Sequence, residues 1–139
     1  MIRRSLFLLA ILAALFFVTA CGDNERTLTL GKPEIVSVAD LRSFARSNSS
    51  PVYWAGNIND FNLELTQSGD KQITIRYLPS KVTAGDRRVN FLTVATYPQQ
   101  GAFAKLEEKK DNKGAVLRGA PGGGSMLWYK TRPSSVYLA

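Results

Sequence analysis

The first apolar feature of the chain is a block without periodicity. Residues 6–18 carry no polar side chain, Arg3 and Arg4 precede them, and Thr19, Ala20 and Cys21 follow. Such a run is too short for a membrane-spanning helix, which needs about 20 apolar residues. A basic start, a short apolar stretch and then small residues form the layout of an export signal. Further along, period replaces block. Val38, Leu41, Phe44 and Ala45 recur at three- and four-residue spacing, which predicts a helix with Ser37 as its N-cap and Asp40 in its first turn. Pro51 stops it by driving Ser50 out of the helical region.

After Pro51 the period is two. Residues 52–54 predict a short strand closed by Gly56. Phe61, Leu63 and Leu65 alternate with polar neighbours, as do Ile73, Ile75 and Tyr77, and Ser68-Gly69-Asp70 lies between the two runs. That pattern predicts an antiparallel hairpin with all six apolar side chains on one face. Residues 91–97 are apolar on both faces and predict a central strand ended by Pro98. Ala102, Phe103 and Leu106 mark a second short helix, and residues 115–118, 126–130 and 135–139 predict three more strands. The fold class is therefore α+β, a mainly antiparallel sheet with two short helices behind an N-terminal signal segment. The expected organisation is a signal peptide over 1–20, a lipidated cysteine and tether over 21–33, and one domain over 34–139. Residues 136–139 are Val-Tyr-Leu-Ala with no polar tail, so a domain truncated at its C-terminus is also an expectation.

The stretch Val18-Thr19-Ala20-Cys21 resembles the lipobox of bacterial lipoproteins. There the cysteine thiol receives a diacylglyceryl group, and cleavage just before it makes the cysteine the first residue. The resemblance implies lipidation at Cys21, which is the only cysteine of the chain. Two or more acyl chains anchor a protein stably where one does not. Four further segments, residues 51–56 (PVYWAG), 76–79 (RYLP), 92–98 (LTVATYP) and 135–139 (SVYLA), look like those of a group of uncharacterised actinobacterial lipoproteins and secreted proteins. That likeness covers most of the chain after Ala39, carries no activity, and implies a further strand or two beyond the last segment.

Composition narrows the chemistry. There is no histidine, and the one cysteine stands at the lipobox. Histidine-based triads, disulfides, thiol catalysis and nearly all zinc or copper sites are thereby excluded, and no cofactor or metal is expected. Removing residues 1–20 takes away two arginines and no acid, which lowers the net charge from +7 to +5. The remaining cations are scattered, which suits a solvated surface or weak attraction to anionic lipid and does not suit nucleic acid.

Several spacings imitate catalytic motifs. Ser68-Gly69-Asp70-Lys71 spells S-x-x-K, but in a predicted hairpin and without partner motifs. Tyr77 and Lys81 spell Y-x-x-x-K, but Pro79 interrupts the helix that would align them. The glycine-rich run 119–125 leads into a strand, whereas phosphate cradles lead into a helix. Asn57, Asn59 and Asp60 supply one carboxylate, too few for calcium. Glu64, Asp86, Glu107 and Glu108 are carboxylates with no spacing that sets two of them across a cleft. No catalytic residue is assigned.

The aromatic pairs Tyr53-Trp54 and Trp128-Tyr129 are the candidate binding residues, because neighbours on a strand point to opposite faces and one of each pair must leave the core side. The expected function is a membrane-anchored extracytoplasmic lipoprotein, a non-catalytic binding or accessory domain of the cell envelope. Its expected partners are the membrane through the lipid anchor and a cell-wall glycan or envelope protein. The expected location is the outer face of the cell membrane, or the outer membrane or periplasmic side in a Gram-negative source. The alternative is a hydrolase of envelope components that uses carboxylates or Ser/Lys.

Overall fold

The computed structural model of the chain describes residues 28–120 and 123–139. The predicted export signal and Cys21 lie outside these residues. Among the described residues, two short helices accompany seven antiparallel strands in two sheets. The mainly sheet α+β fold expected from the pattern is therefore present. No helix of the described residues is long and apolar enough to cross a membrane.

The first sheet has the order β1-β2-β3-β4, with β1 Glu34–Val36, β2 Phe61–Gln67, β3 Ile73–Pro79 and β4 Thr93–Thr96. Helix α1, Val38–Ser47, starts where the sequence signals it. The Ser37 side chain accepts the Asp40 N–H at 3.0 Å, and the Asp40 carboxylate accepts the Ser37 N–H at 3.0 Å. This reciprocal cap satisfies two amides that the first helical turn leaves without partners. In the hairpin, Leu63 stands opposite Tyr77 and Leu65 opposite Ile75, so the predicted face is the observed one. Leu63, Leu65, Ile73, Ile75 and Tyr77 are buried there with Val36 and Leu41, and Phe44, Val52, Trp54 and Ile58 pack around them. Each fully buried large side chain contributes about 1.5–3 kcal/mol over exposure. Phe61 shares the face but sits at the strand end and stays exposed.

Three details differ from expectation. Residues 52–54 form no strand, although the segment is extended and its burial alternates strictly from Pro51 to Ile58. Its backbone is held by side chains instead: the Tyr77 hydroxyl donates to the Gly56 carbonyl at 2.9 Å and accepts the Ala55 N–H at 2.8 Å, and the Tyr53 N–H reaches Thr96 Oγ1. The 91–97 run is not central. Its ladder portion, β4, is an edge strand, and Phe91 is apolar because it serves the loop before the strand. Finally, the fold already includes part of the expected tether. Leu28 packs on the core, the Gly31 N–H donates to the Gln67 carbonyl at 2.7 Å, and β1 follows.

The second sheet, order β5-β6-β7, comprises β5 Ala115–Gly119, β6 Ser125–Tyr129 and β7 Arg132–Leu138. Helix α2, Ala102–Glu108, packs on β6 and runs into a 3-10 turn, Lys109–Asp111. Leu127 is fully buried and Leu106 nearly so, while every residue of β7 is exposed. The glycine-rich segment joins β5 to β6 as expected, and part of it (Pro121 and Gly122) falls outside the described residues. The Ser125 and Ala139 backbones exchange two hydrogen bonds, which brings Gly124 against Ala139, where a β-carbon would collide with the Ala139 carbonyl.

Candidate functional site

The four candidate aromatics fall on two elements. Tyr53 and Trp54 lie on the extended segment over the first sheet, and adjacency sends them apart. Trp54 packs on the core, while Tyr53 is 62% exposed. Trp54 is thus part of the core rather than a surface platform. Trp128 and Tyr129 lie on β6 and are half-buried on opposite faces. Trp128 sits in a cross-strand row with Val116 and Val136, and Met126 in the next row with Arg118 and Leu138. These rows form an apolar surface on the face turned away from Leu127. The Tyr129 hydroxyl accepts a hydrogen bond from Asn112 Nδ2 at 3.3 Å, beside the turn that follows α2.

Tyr129 also lines a half-open cavity of about 290 Å³ with Thr131, Arg132, Ser135 and Tyr137. The cause is a slip in register. Trp128 opposes Val136, yet Tyr129 opposes Arg132, so residues 133–135 bulge out of the ladder. Among the described residues, Arg132 has no ion-pair or hydrogen-bond partner for its side chain. Two ring faces, a five-donor guanidinium and two aliphatic hydroxyls thus surround one depression. Sequence reasoning found Tyr129 but missed Tyr137, Arg132, Thr131 and Ser135. The Pro133-Ser134-Ser135 run inside an otherwise β-forming stretch was the available signal of a bulge.

The carboxylates are committed elsewhere. Glu64, 2% exposed, accepts Arg76 Nε at 2.6 Å, Arg76 Nη2 at 3.1 Å and the Gly85 N–H at 2.6 Å. The pairing raises the Arg76 pKa, chiefly through the hydrogen bond to Glu64. Asp86 accepts the Arg88 N–H, Nε and Nη2 between 2.9 and 3.0 Å, and these bonds to Arg88 hold its carboxyl down to about 2. Glu107 accepts the Ser125 hydroxyl at 3.2 Å, and Glu108 is exposed. Ser68 of the S-x-x-K spacing donates to Asp70 inside the β2–β3 turn, where Lys71 adopts a left-handed backbone. The Tyr77 hydroxyl of the Y-x-x-x-K spacing is bonded to the backbone at Ala55 and Gly56, and Lys81 is exposed. Asn57, Asn59 and Asp60 lie in an exposed turn with Asp60 at φ 66°. Among the described residues no three His, Cys, Asp or Glu side chains are grouped to hold a metal.

Compared with protein-family models, curated proteins and solved structures, the chain matches none of them.

Proposed function

We propose that the protein is a lipoprotein of the cell envelope, resembling the actinobacterial group, anchored through Cys21 to the outer face of the membrane and serving there as a binding or accessory domain. The lipobox supports the anchor. The observation that carries the binding role is the depression at the β6–β7 bulge, where Tyr129, Tyr137, Arg132, Thr131 and Ser135 converge and the Arg132 guanidinium has no partner among the described residues. Tyrosine faces suit the CH-rich faces of sugars, and an arginine fork suits a carboxylate. An acidic wall glycan, or an envelope protein presenting a carboxylate, fits this set.

The hydrolase alternative gains no support from the geometry. Glu64 and Asp86 are each saturated by an arginine, and a catalytic acid or base needs a free site within reach of substrate. Two experiments test the two halves of the proposal separately. Cys21→Ser should move the protein out of the membrane fraction or leave it unprocessed. Unchanged retention and processing would remove the anchor. In pull-downs on purified cell wall, Arg132→Ala with Tyr137→Ala should weaken retention about tenfold if both side chains contact the ligand. Undiminished retention would remove this site.

A further inference from the structure

Residues 80–92 connect β3 to β4, which are neighbours in the sheet. Adjacent antiparallel strands are usually joined by roughly two to five residues, so a thirteen-residue connection calls for a physical explanation. It is not slack. The Gly85 N–H is fixed to buried Glu64, Arg76 Nη1 donates to the Arg88 carbonyl, and the Leu92 carbonyl accepts the Tyr77 N–H at 2.9 Å. The Phe91 ring centroid lies 5.5 Å from the Arg76 guanidinium and 5.2 Å from that of Arg88, and Asp86 holds the Arg88 guanidinium through Nε and Nη2. Cation–π contacts and charge-assisted hydrogen bonds therefore define one loop conformation.

What this loop displays is apolar and basic together. Val89 is 98% exposed, the most exposed large apolar side chain among the described residues, and Leu92 is half exposed. The same loop carries Lys81 and Arg87, both exposed and both without a side-chain partner among the described residues. The segment contains three cations against one carboxylate, and that carboxylate is spent on Arg88. The pinning residues hold an apolar knob outward on a loop that also carries free positive charge.

We propose that the 80–92 loop is a second membrane contact, with Val89 entering the interface of an anionic bilayer and Arg87 and Lys81 meeting lipid phosphates. The occupant follows from charge and from attachment. Cations and exposed apolar side chains on one loop match an anionic headgroup layer over an acyl layer. The chain joins the fold beside Gln67 of β2, three residues along the strand from Glu64, which pins the loop on the face opposite the one that Leu28 packs on. Along a strand that is roughly 10 Å. From Cys21 to Leu28 there are seven steps of chain, at most roughly 25 Å, so an acylated Cys21 keeps the loop within reach of the bilayer. In this geometric part the proposal rests on the lipid-anchor reading. With the anchor close, even weak contact would orient the domain and turn a chosen surface away from the membrane.

The test uses the mature chain, residues 21–139, as Cys21→Ser, so that no acyl chain contributes. It is sedimented with vesicles rich in phosphatidylglycerol and with vesicles of phosphatidylcholine alone. Expected is binding to the anionic vesicles, weakened by salt, and about tenfold weaker after either Val89→Asp or Arg87→Glu. Neither side chain supports the fold, so the melting temperature of both variants should match the parent. Lys113→Glu, a cation outside the loop, should keep most of the binding. No binding to anionic vesicles overturns the proposal, as does binding that Val89→Asp and Arg87→Glu leave intact. Loss of a copurifying protein or of self-association in the Val89 variant, without any vesicle binding, also overturns it and makes the loop a protein contact. Membrane fractionation of Cys21→Ser cells reads the anchor independently. A failed anchor with Val89-dependent vesicle binding leaves the loop contact standing, and the reverse result removes the loop contact alone.

Discussion

The two sheets of this molecule are built from similar strands and reach different outcomes. In the β1–β4 sheet, alternation meets a helix and an extended segment on its apolar face, and Leu63, Leu65, Ile73, Ile75 and Tyr77 all disappear from solvent. Its polar face is not left open either: the 80–92 loop lies on Glu64 and Arg76, and Leu78 is fully buried on that side. In the β5–β7 sheet, among the described residues, a seven-residue helix and the turn after it cover one face, over Leu127. Val136, Tyr137 and Leu138 are an unbroken apolar run with side chains on both faces, yet all are at least half exposed. Alternation therefore establishes that a strand has two unlike faces. What covers the apolar one depends on elements elsewhere in the chain. The first sheet is the frame of the molecule, and the second is the surface on which free donors and apolar rows are available.

The sharpest way to break this contrast is to truncate each core in turn. Leu65→Ala should cost about 3–4 kcal/mol and lower the melting transition of the whole molecule. Leu127→Ala should loosen α2 and β5–β7 while the β2–β3 amide resonances stay in place. Equal, global losses from the two variants would merge the two regions into one cooperative unit. Tyr77→Phe asks how far the frame depends on the hydroxyl that holds the 51–58 segment. It strips partners from the Ala55 N–H and the Gly56 carbonyl and should cost about 2 kcal/mol, read by urea unfolding.

A smaller effect of opposite sign is expected at the hairpin turn. Lys71 has φ 65°, a conformation glycine adopts without strain, so Lys71→Gly should stabilise by about 0.5–1 kcal/mol. The smallest effect is with pH. Asp86 has its carboxyl lowered from 3.8 to about 2 by Arg88, so its contribution is complete above pH 4. That contribution is lost as pH falls toward 2, because the unfolded chain takes up the proton first. The Gly85 and Arg88 amide shifts should report the loop loosening in that window before β2 and β3 respond.

Much of the frame was legible in the sequence, and the reasons are local. The Ser37 and Asp40 cap, the helical spacing through Ala45 and the paired alternations around Ser68-Gly69-Asp70 each encode their structure within a few residues. The extended path of residues 51–58 was legible too, but not its lack of a ladder, because the hydroxyl that holds it belongs to Tyr77, more than twenty residues away. Phe91 and Leu92 imitated a buried strand because an aromatic between two guanidiniums and an apolar residue at a loop end are indistinguishable by hydropathy from core. The candidate site was legible only in Tyr129. Its other members depend on a register slip, which arises from the pairing of two strands and not from either one alone.

Native-state amide hydrogen exchange tests the division into frame and surface most directly. If the account holds, the Leu65 and Ile75 amides exchange only with global unfolding. The Leu127 and Trp128 amides, in the centre of the second sheet, should then exchange at least about 100-fold faster through local opening. Equal protection at these four positions, with a common dependence on denaturant, would contradict it.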